Sequence, residues 1–329
     1  MGIRERSSKN GPLAQSSPEL TAFFVLIEHC RKNSKHLASK RHLAARNCAP
    51  AINAFHAKRR VKRALPAQIP LGGMHHGGDG GSGNVIEDAI HSYTCVTAPE
   101  IEEGPYYVNN ELVRQDLTED QKGVPLRLDI GVIDTATCEP VQDAFIEIWS
   151  CNATGVYGAF ESNIGGPPPG APAMSSRNTW LRGGHATDAT GTVELTTIYP
   201  GFYYGRTIHV HLMVHLGWEV AANGSIISHA GSIAHIGQLF FDEPWNDRVL
   251  STQPYTDNTA RRTLNTQDHD FARASIDGSS AVVQLDMLGD AVEDGLLGFI
   301  TIGIDTTAEH SIHSTNYYNV STGDFGVVI

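Results

Sequence analysis

The stretch Arg206-Thr-Ile-His209-Val-His211-Leu-Met-Val-His215-Leu216 favours a β-strand that carries imidazole side chains on one face. Side chains two positions apart along a strand point to the same side, so His209 and His211 can bind one metal ion. His215 shares that face, but it lies about 13 Å from His211 along an extended strand. We therefore interpret His215 as a structural residue or as part of the rim of the site. A three-histidine zinc site is the alternative ligand set, and it requires the strand to bend.

Two tyrosines accompany this histidine pair. Tyr203 closes the turn Pro200-Gly-Phe-Tyr203 just before the strand, and Tyr157 follows an Asn/Gly turn after the strand-like run Phe145–Trp149. A phenolate is a hard anionic donor that suits ferric iron better than zinc. Two phenolates and one hydroxide would also neutralise a trivalent ion. The two tyrosines and the two histidines are therefore a candidate ligand set for Fe(III).

Further motifs surround these residues in a characteristic order. They are Glu103-Gly104-Pro105-Tyr106-Tyr107, Trp149-Ser-Cys-Asn152-Ala-Thr-Gly155-Val-Tyr157, Leu181-Arg182-Gly183 followed by Thr187-Asp188-Ala-Thr-Gly191, and Arg206-Thr-Ile-His209-Val-His211. In combination they resemble the motifs of the intradiol ring-cleavage dioxygenases, over roughly residues 90–300. The secreted fungal branch is the most similar, because an insertion around residues 221–231 separates the histidine pair from Gln238.

The resemblance implies a cofactor, a reaction and roles for individual residues. It implies a non-haem Fe(III) held by Tyr157, Tyr203 and the two histidines. It also implies that a small aromatic diol is cleaved with O2 between its hydroxylated carbons to a cis,cis-muconate-type product. Tyr203 would leave the metal and accept a substrate proton while Tyr157 stays bound. Arg206 would stabilise developing negative charge on the substrate, and Gln238 would orient Arg206 or the substrate.

Two other functions are compatible with parts of the sequence. A β-sandwich can be a catalytically inactive module that binds a carbohydrate or lignin surface, since a fold alone does not imply an activity. A histidine-based zinc hydrolase is the second alternative, with His215 as a third ligand. The presence of all four candidate iron ligands favours the dioxygenase over the inactive module.

The substrate pocket is expected to form from Gly104–Tyr107 and from the loop Phe160–Arg182. Neither segment shows a clear pair of cationic side chains for a substrate carboxylate. Neutral catechols or hydroxyquinol are therefore favoured over protocatechuate. The oligomeric state cannot be read from the sequence.

Composition and periodicity predict a mainly β protein. Of the 329 residues, 40% are hydrophobic, and the chain contains 33 Gly and 16 Pro. Short β-branched apolar runs between turn residues are typical of an antiparallel β-sandwich. The predicted strands are Val124–Ile133, Val141–Trp149, Thr192–Ile198, Thr207–Leu216, Ile236–Phe241, Ala281–Leu288 and Leu296–Ile304.

Charge divides the chain into segments with different tasks. Residues 1–70 carry 14 Lys+Arg against 3 Asp+Glu, whereas residues 71–329 carry 10 against 33. We predict a basic, partly helical extension at 1–70, a Gly/His-rich linker at 71–84 and the catalytic β-sandwich domain at 85–329. The basic residues near 59–63 could be propeptide cleavage sites. No nucleic-acid partner is expected, because aromatic side chains do not interleave with the basic ones.

The cysteines and the N-terminal residues are the features that indicate whether the protein is secreted or cytoplasmic. Cys138 and Cys151 lie in neighbouring segments and could pair, and Cys95 could pair with Cys30 or Cys48, which leaves an odd thiol. Family resemblance and cysteine content favour secretion, with the cytoplasm as the alternative. The N-terminal apolar stretch is short for a signal peptide and lacks a convincing cleavage site. No stretch is long enough to cross a membrane, so no membrane partner is expected.

Overall fold

The computed structural model describes residues 48, 50–51, 54–55, 59, 100–163, 166–167, 172–275 and 280–318. These residues all belong to one compact unit that spans Arg41–Ile329. The predicted linker at 71–84 and most of the predicted extension at 1–70 lie outside the described residues. The described residues of the extension, among them Cys48 and Arg59, are helical.

The strands of the described region form two four-stranded sheets. They are β1 (Pro125–Asp134), β2 (Phe145–Trp149), β3 (Arg182–Ala186), β4 (Thr192–Ile198), β5 (His209–Leu216), β6 (Ser232–Phe240), β7 (Gln284–Met287) and β8 (Leu296–Ile304). The first sheet has the order β4-β1-β8-β7, and the second has the order β3-β2-β5-β6. The predicted mainly β sandwich is therefore confirmed.

Two helices follow β6, α1 (Glu243–Leu250) and α2 (His269–Ala274). Short 3-10 turns lie at Tyr255–Asp257, Asn265–Gln267 and Val292–Asp294. Within the described residues, neither helix combines the length and the apolar character that a bilayer crossing requires.

Among the eight strands of the described region, pairing is antiparallel with one exception. β1 pairs in parallel with β8, in a register that runs from Leu126 opposite Leu296 to Asp134 opposite Ile304. On their other sides, β1 is antiparallel to β4 and β8 is antiparallel to β7. The predicted antiparallel sandwich therefore contains one parallel pair, because β8 is inserted between β1 and β7.

Every predicted apolar run overlaps a strand, and the runs Thr192–Ile198 and Leu296–Ile304 match β4 and β8 in both bounds. The prediction missed β3, whose sequence Arg-Gly-Gly-His-Ala shows no apolar alternation. The backbone of β3 lies so close to β2 that a Cβ on Gly184 would be 2.0 Å from the Ile146 carbonyl oxygen. Glycine therefore serves close strand packing here, and it removes the pattern that would reveal the strand.

Alternation along β5 separates the core from the candidate site. Val210, Leu212 and Val214 belong to the large apolar cluster that also contains residues of β1, β4 and β8. Met213 belongs to a second cluster, together with Trp149 of β2 and both candidate iron tyrosines. The histidines of β5 therefore lie on the face of the second sheet that is turned away from the first sheet.

The disulfide pairing differs from the predicted one. Cys48 is bonded to Cys138, and Cys151 is a buried free thiol. The predicted pairs Cys138–Cys151 and Cys95–Cys48 are therefore wrong, whereas Cys30 and Cys95 lie outside the described residues. The pairing follows from where the cysteines lie in the fold. Cys138 follows β1 and packs with Cys48 against Ile133, whereas Cys151 forms a backbone bridge with Tyr157 beside the site.

Candidate metal centre

Four predicted ligand side chains converge at the start of β5. Their ring centroids lie 5.8 Å apart for Tyr157 and Tyr203, 5.7 Å for Tyr203 and His209, 4.7 Å for His209 and His211, and 6.2 Å for Tyr157 and His211. All four side chains are buried. Two turns and one strand thus bring together residues that are far apart in the sequence.

The donor atoms of this cluster face one another. The Tyr157 hydroxyl lies 3.3 Å from His209 Nε2, which lies 3.1 Å from His211 Nε2. His209 Nδ1 is 2.7 Å from the Thr207 carbonyl oxygen. Because a carbonyl oxygen can only accept, His209 Nδ1 carries the proton, and its Nε2 directs a lone pair into the cluster. A backbone carbonyl that fixes the tautomer in this way is typical of metal-bound histidine.

Burial keeps these four groups uncharged. It lowers the pKa of His209 to about 3 and holds the pKa of His211 well below the usual value for histidine. It raises the pKa of Tyr203 to about 12 and holds the pKa of Tyr157 well above the usual value for tyrosine. Ionised phenolates would need a compensating cation here. Two phenolates and two imidazole nitrogens form a donor set that fits ferric iron better than zinc.

Packing fixes the ligand rings. The Trp149 indole stacks on the His211 imidazole with centroids 4.9 Å apart and planes 3° apart, and Tyr106 stacks on Tyr157 at 4.5 Å. Gly104 has a φ of +77°, and a Cβ there would lie 2.8 Å from His211 Cε1. Sequence reasoning gave Trp149 no role and placed Tyr106 in the pocket segment, and it did not predict that either ring stacks on a candidate ligand.

Arg206 and Gln238 meet beside the cluster. Arg206 Nη2 donates to Gln238 Oε1 at 2.5 Å, and Gln238 lies directly opposite His211 in the β5–β6 pairing. The insertion at residues 221–231 lies in the connection between these strands, so it leaves this pairing unchanged. Burial disfavours the charged form of Arg206, but Tyr203 and Asp268 raise its pKa above the usual value, so it stays protonated.

Sequence reasoning missed two carboxylates that hold Arg206. Arg206 Nε lies 2.9 Å from Asp268 Oδ2, and Arg206 Nη2 lies 3.1 Å from Asp270 Oδ2. Burial raises the pKa of Asp268, but Arg206 and backbone N–H groups outweigh it and keep this pKa below the usual value. An aspartate before a short helix is a readable N-cap signal, but it does not reveal a partner some sixty residues upstream.

His215 lies apart from the cluster, against a carboxylate. Its Nε2 is 2.8 Å from Glu147 Oε2, and the Tyr107 hydroxyl donates to the same oxygen at 2.9 Å. Over the described part of the chain, no group of three or more His, Cys, Asp or Glu side chains could hold a metal ion. This placement agrees with the structural interpretation of His215 and gives the zinc alternative no third ligand.

A cavity of about 670 Å³ opens next to the cluster. Gly104 and Pro105 line it, and Gly104 also contacts the His211 ring. Other parts of its wall carry Glu100, Glu102 and Arg273. Half of the predicted pocket segment Gly104–Tyr107 therefore lines this cavity, and parts of the predicted loop Phe160–Arg182 are outside the described residues.

Comparisons with known proteins found a matching family model and similar solved structures. The family model described as Dioxygenase matches residues 97–282. An intradiol ring-cleavage dioxygenase from Tetranychus urticae is 29% identical, with a TM-score of 0.56 over 66% of this chain and 98% of that one. Catechol 1,2-dioxygenase from Pseudomonas arvilla C-1 is 19% identical, with a TM-score of 0.44 over 93% of each chain. No curated protein sequence matches the chain significantly.

The matched residues 97–282 include the converging tyrosines and histidines, Arg206 and Gln238. They also include both strands on which the histidine pair and Gln238 lie. From this match and from the fold, the chain belongs to the dioxygenase family and is an intradiol ring-cleavage dioxygenase.

Proposed function

We propose that this enzyme uses Fe(III) and both atoms of O2 to cleave a catechol-type diol between its hydroxylated carbons, with a cis,cis-muconate-type dicarboxylic acid as product. The ligands would be Tyr157, Tyr203, His209 and His211. The observation that carries the proposal is the convergence of four buried, uncharged donors. The Thr207 carbonyl supports it, because it leaves the His209 Nε2 lone pair free for a metal.

The two tyrosines differ in their surroundings, which suggests different tasks. A bound ferric ion would supply Lewis acidity that draws electron density from an ionised diol. Tyr203 has the Arg206 guanidinium as a hydrogen-bonding cationic neighbour, whereas Tyr157 is stacked against Tyr106. Once ionised, the Tyr203 phenolate would therefore be the better placed to accept a proton from a substrate hydroxyl, because the Arg206 guanidinium lies beside it.

Arg206 supplies fixed positive charge beside the reacting substrate. Gln238 holds Nη2 of its guanidinium and Asp268 holds Nε, so the group needs little reorganisation when negative charge develops. A preorganised charge of this kind lowers the barrier more than a mobile one does. The role given to Gln238 is thus to orient Arg206.

The cavity favours a neutral aromatic substrate. Its volume of about 670 Å³ suits a small aromatic ring, and Glu100, Glu102 and Glu103 line its wall. The cation on that wall, Arg273, has Glu102 and Asp270 carboxylates 3.7 Å away. A substrate carboxylate would meet repulsion here, so catechol and hydroxyquinol are expected to be better substrates than protocatechuate.

Oxygen uptake tests the proposed reaction. The full chain is loaded with ferric iron, its metal content is measured, and O2 consumption is followed with catechol, hydroxyquinol and protocatechuate. We expect uptake with the two neutral diols and a ring-opened dicarboxylic product. An iron-loaded protein without uptake on any diol, or a zinc-loaded protein with hydrolase activity, would contradict the proposal.

Phenolate-to-iron charge transfer gives a second test. We expect the ferric protein to absorb visible light and Tyr157→Phe or Tyr203→Phe to shift or remove the band. Tyr199→Phe is a matched control, because Tyr199 is also fully buried but donates to Asn246 in the core. A band that is unchanged in both cluster variants would exclude these tyrosines as ligands.

We further propose that the enzyme is extracellular. The Cys48–Cys138 disulfide supports this, because such bonds persist mainly in oxidising compartments. Fractionation of cells that express the full-length gene checks the proposal, and a reduced protein confined to the cytoplasm would contradict it.

A further inference from the structure

Asp268 makes more hydrogen bonds than the cap of a short helix requires. Its Oδ1 accepts the backbone N–H groups of Asp270 at 2.8 Å and Phe271 at 2.9 Å, which caps α2. Its Oδ2 accepts Arg206 Nε at 2.9 Å and the Thr207 N–H at 2.8 Å. The side chain is fully buried. Capping explains the bonds of Oδ1 and leaves those of Oδ2 unexplained.

The two partners of Oδ2 both lead to the metal centre. Arg206 is the cation beside Tyr203, and the Thr207 carbonyl receives the proton of His209 Nδ1. Thr207 is also held through its hydroxyl, which donates to Asn265 Oδ1 at 2.6 Å. One carboxylate oxygen therefore fixes both the direction of the guanidinium and the backbone that sets the His209 tautomer.

We propose that Asp268 is a positioning residue of the ring-cleavage reaction, which acts through Arg206 and Thr207. This inference rests on the proposed function. Asp270 contacts the same guanidinium at 3.1 Å but does not bond Thr207, so it cannot replace both bonds of Asp268.

Asp268→Asn is the deciding variant. Asparagine caps helices as well as aspartate does. However, its amide nitrogen cannot accept from Arg206 and Thr207 while its oxygen caps α2. We expect kcat to fall roughly 10–100-fold with iron still bound, the usual cost of losing a group that orients a metal site. Because Asp268 acts partly through Arg206, Asp268→Asn should slow Arg206→Ala by a smaller factor than it slows wild type, and the remaining factor is the part that acts through Thr207.

Asp129→Asn is the matched control. Asp129 is another buried aspartate paired with an arginine, Arg59, but it lies on β1 in the other sheet. It should lower stability and leave kcat unchanged. If Asp268→Asn does not fold, Arg206→Lys tests the same bond, since lysine keeps the charge but lacks the Nε donor. Turnover of Arg206→Lys at the wild-type rate would overturn the proposal.

The outcomes separate this proposal from the proposed function. If wild type is active and Asp268→Asn has the same kcat, the positioning role is wrong. It is also wrong if Asp268→Asn lowers the kcat of Arg206→Ala by the same factor as it lowers the kcat of wild type. If wild type takes up no O2 with any diol, the proposed function fails. In that case urea unfolding of wild type, Asp268→Asn, Arg206→Ala and the double variant still decides whether Asp268 holds Arg206. If the two side chains are in contact, the changes in the unfolding midpoint of the single variants do not add up to that of the double variant.

Discussion

The two ends of β5 place histidines of the same strand face in opposite surroundings. At one end, His209 and His211 face each other and the Tyr157 phenol, and their buried imidazoles are neutral. At the other end, His215 is equally buried but hydrogen-bonded to Glu147. The strand face and the burial of these histidines are therefore the same, and the side chain that each one contacts decides its role. The phenols can lose their protons and join the imidazole nitrogens around a cation, whereas the Glu147 carboxylate accepts the N–H of His215 and holds that ring in place.

The largest expected difference between the two ends is in iron affinity. His211→Ala removes a donor of the cluster, and we expect it to lower iron affinity more than about 100-fold, beyond what the loss of an outer partner costs. His215→Asn should bind iron as wild type does. Iron titration followed by visible absorption measures both. Equal loss in the two variants would revive the three-histidine site.

The second difference is in stability. His215→Phe keeps a ring of similar size but leaves the buried Glu147 oxygen with Tyr107 as its side-chain donor. We expect the free energy of unfolding of the metal-free protein to fall by roughly 1–3 kcal/mol, because the buried Glu147 carboxyl group loses one of its hydrogen-bond donors. His269→Phe is the control, because the side chain of His269 is 84% exposed. Urea unfolding gives both values, and an unchanged midpoint for His215→Phe would show that the Glu147 contact is not structural.

Local sequence patterns predicted most of the fold and the composition of the cluster. Apolar alternation located the strands around β1, β5 and β8, because half-buried strands carry that period of two. Motif spacing selected Tyr157 and Tyr203 as partners of the histidine pair. Each of these signals is contained within a short window of sequence.

The features that were missed depend on contacts between distant segments. Cys48 and Cys138 are separated by 90 positions, and nothing near either residue selects the other as its partner. The parallel pairing of β8 with β1 and the contact of Asp268 with Arg206 have the same character. Glycine-rich β3 was missed for another reason, since its close approach to β2 removes the side chains that would identify it.

A third expected difference concerns how tightly the ring of His211 is held. Gly104→Ala would place a Cβ 2.8 Å from His211 Cε1 at a φ of +77°, whereas Gly224 has a φ of +86° with nothing within 4 Å of an added Cβ. Alanine in the left-handed region costs about 1–2 kcal/mol at either site. Only Gly104→Ala should lower the free energy of unfolding by about 1–3 kcal/mol more, because its methyl group overpacks against the His211 ring. It should also weaken iron binding, because the Trp149 indole stacked on the imidazole leaves the displaced ring little room. Matched iron titrations and unfolding curves of the two variants measure this. Equal behaviour would mean that the His211 ring can move freely, so that the donor atoms and not the packing around them set the geometry at this end of β5.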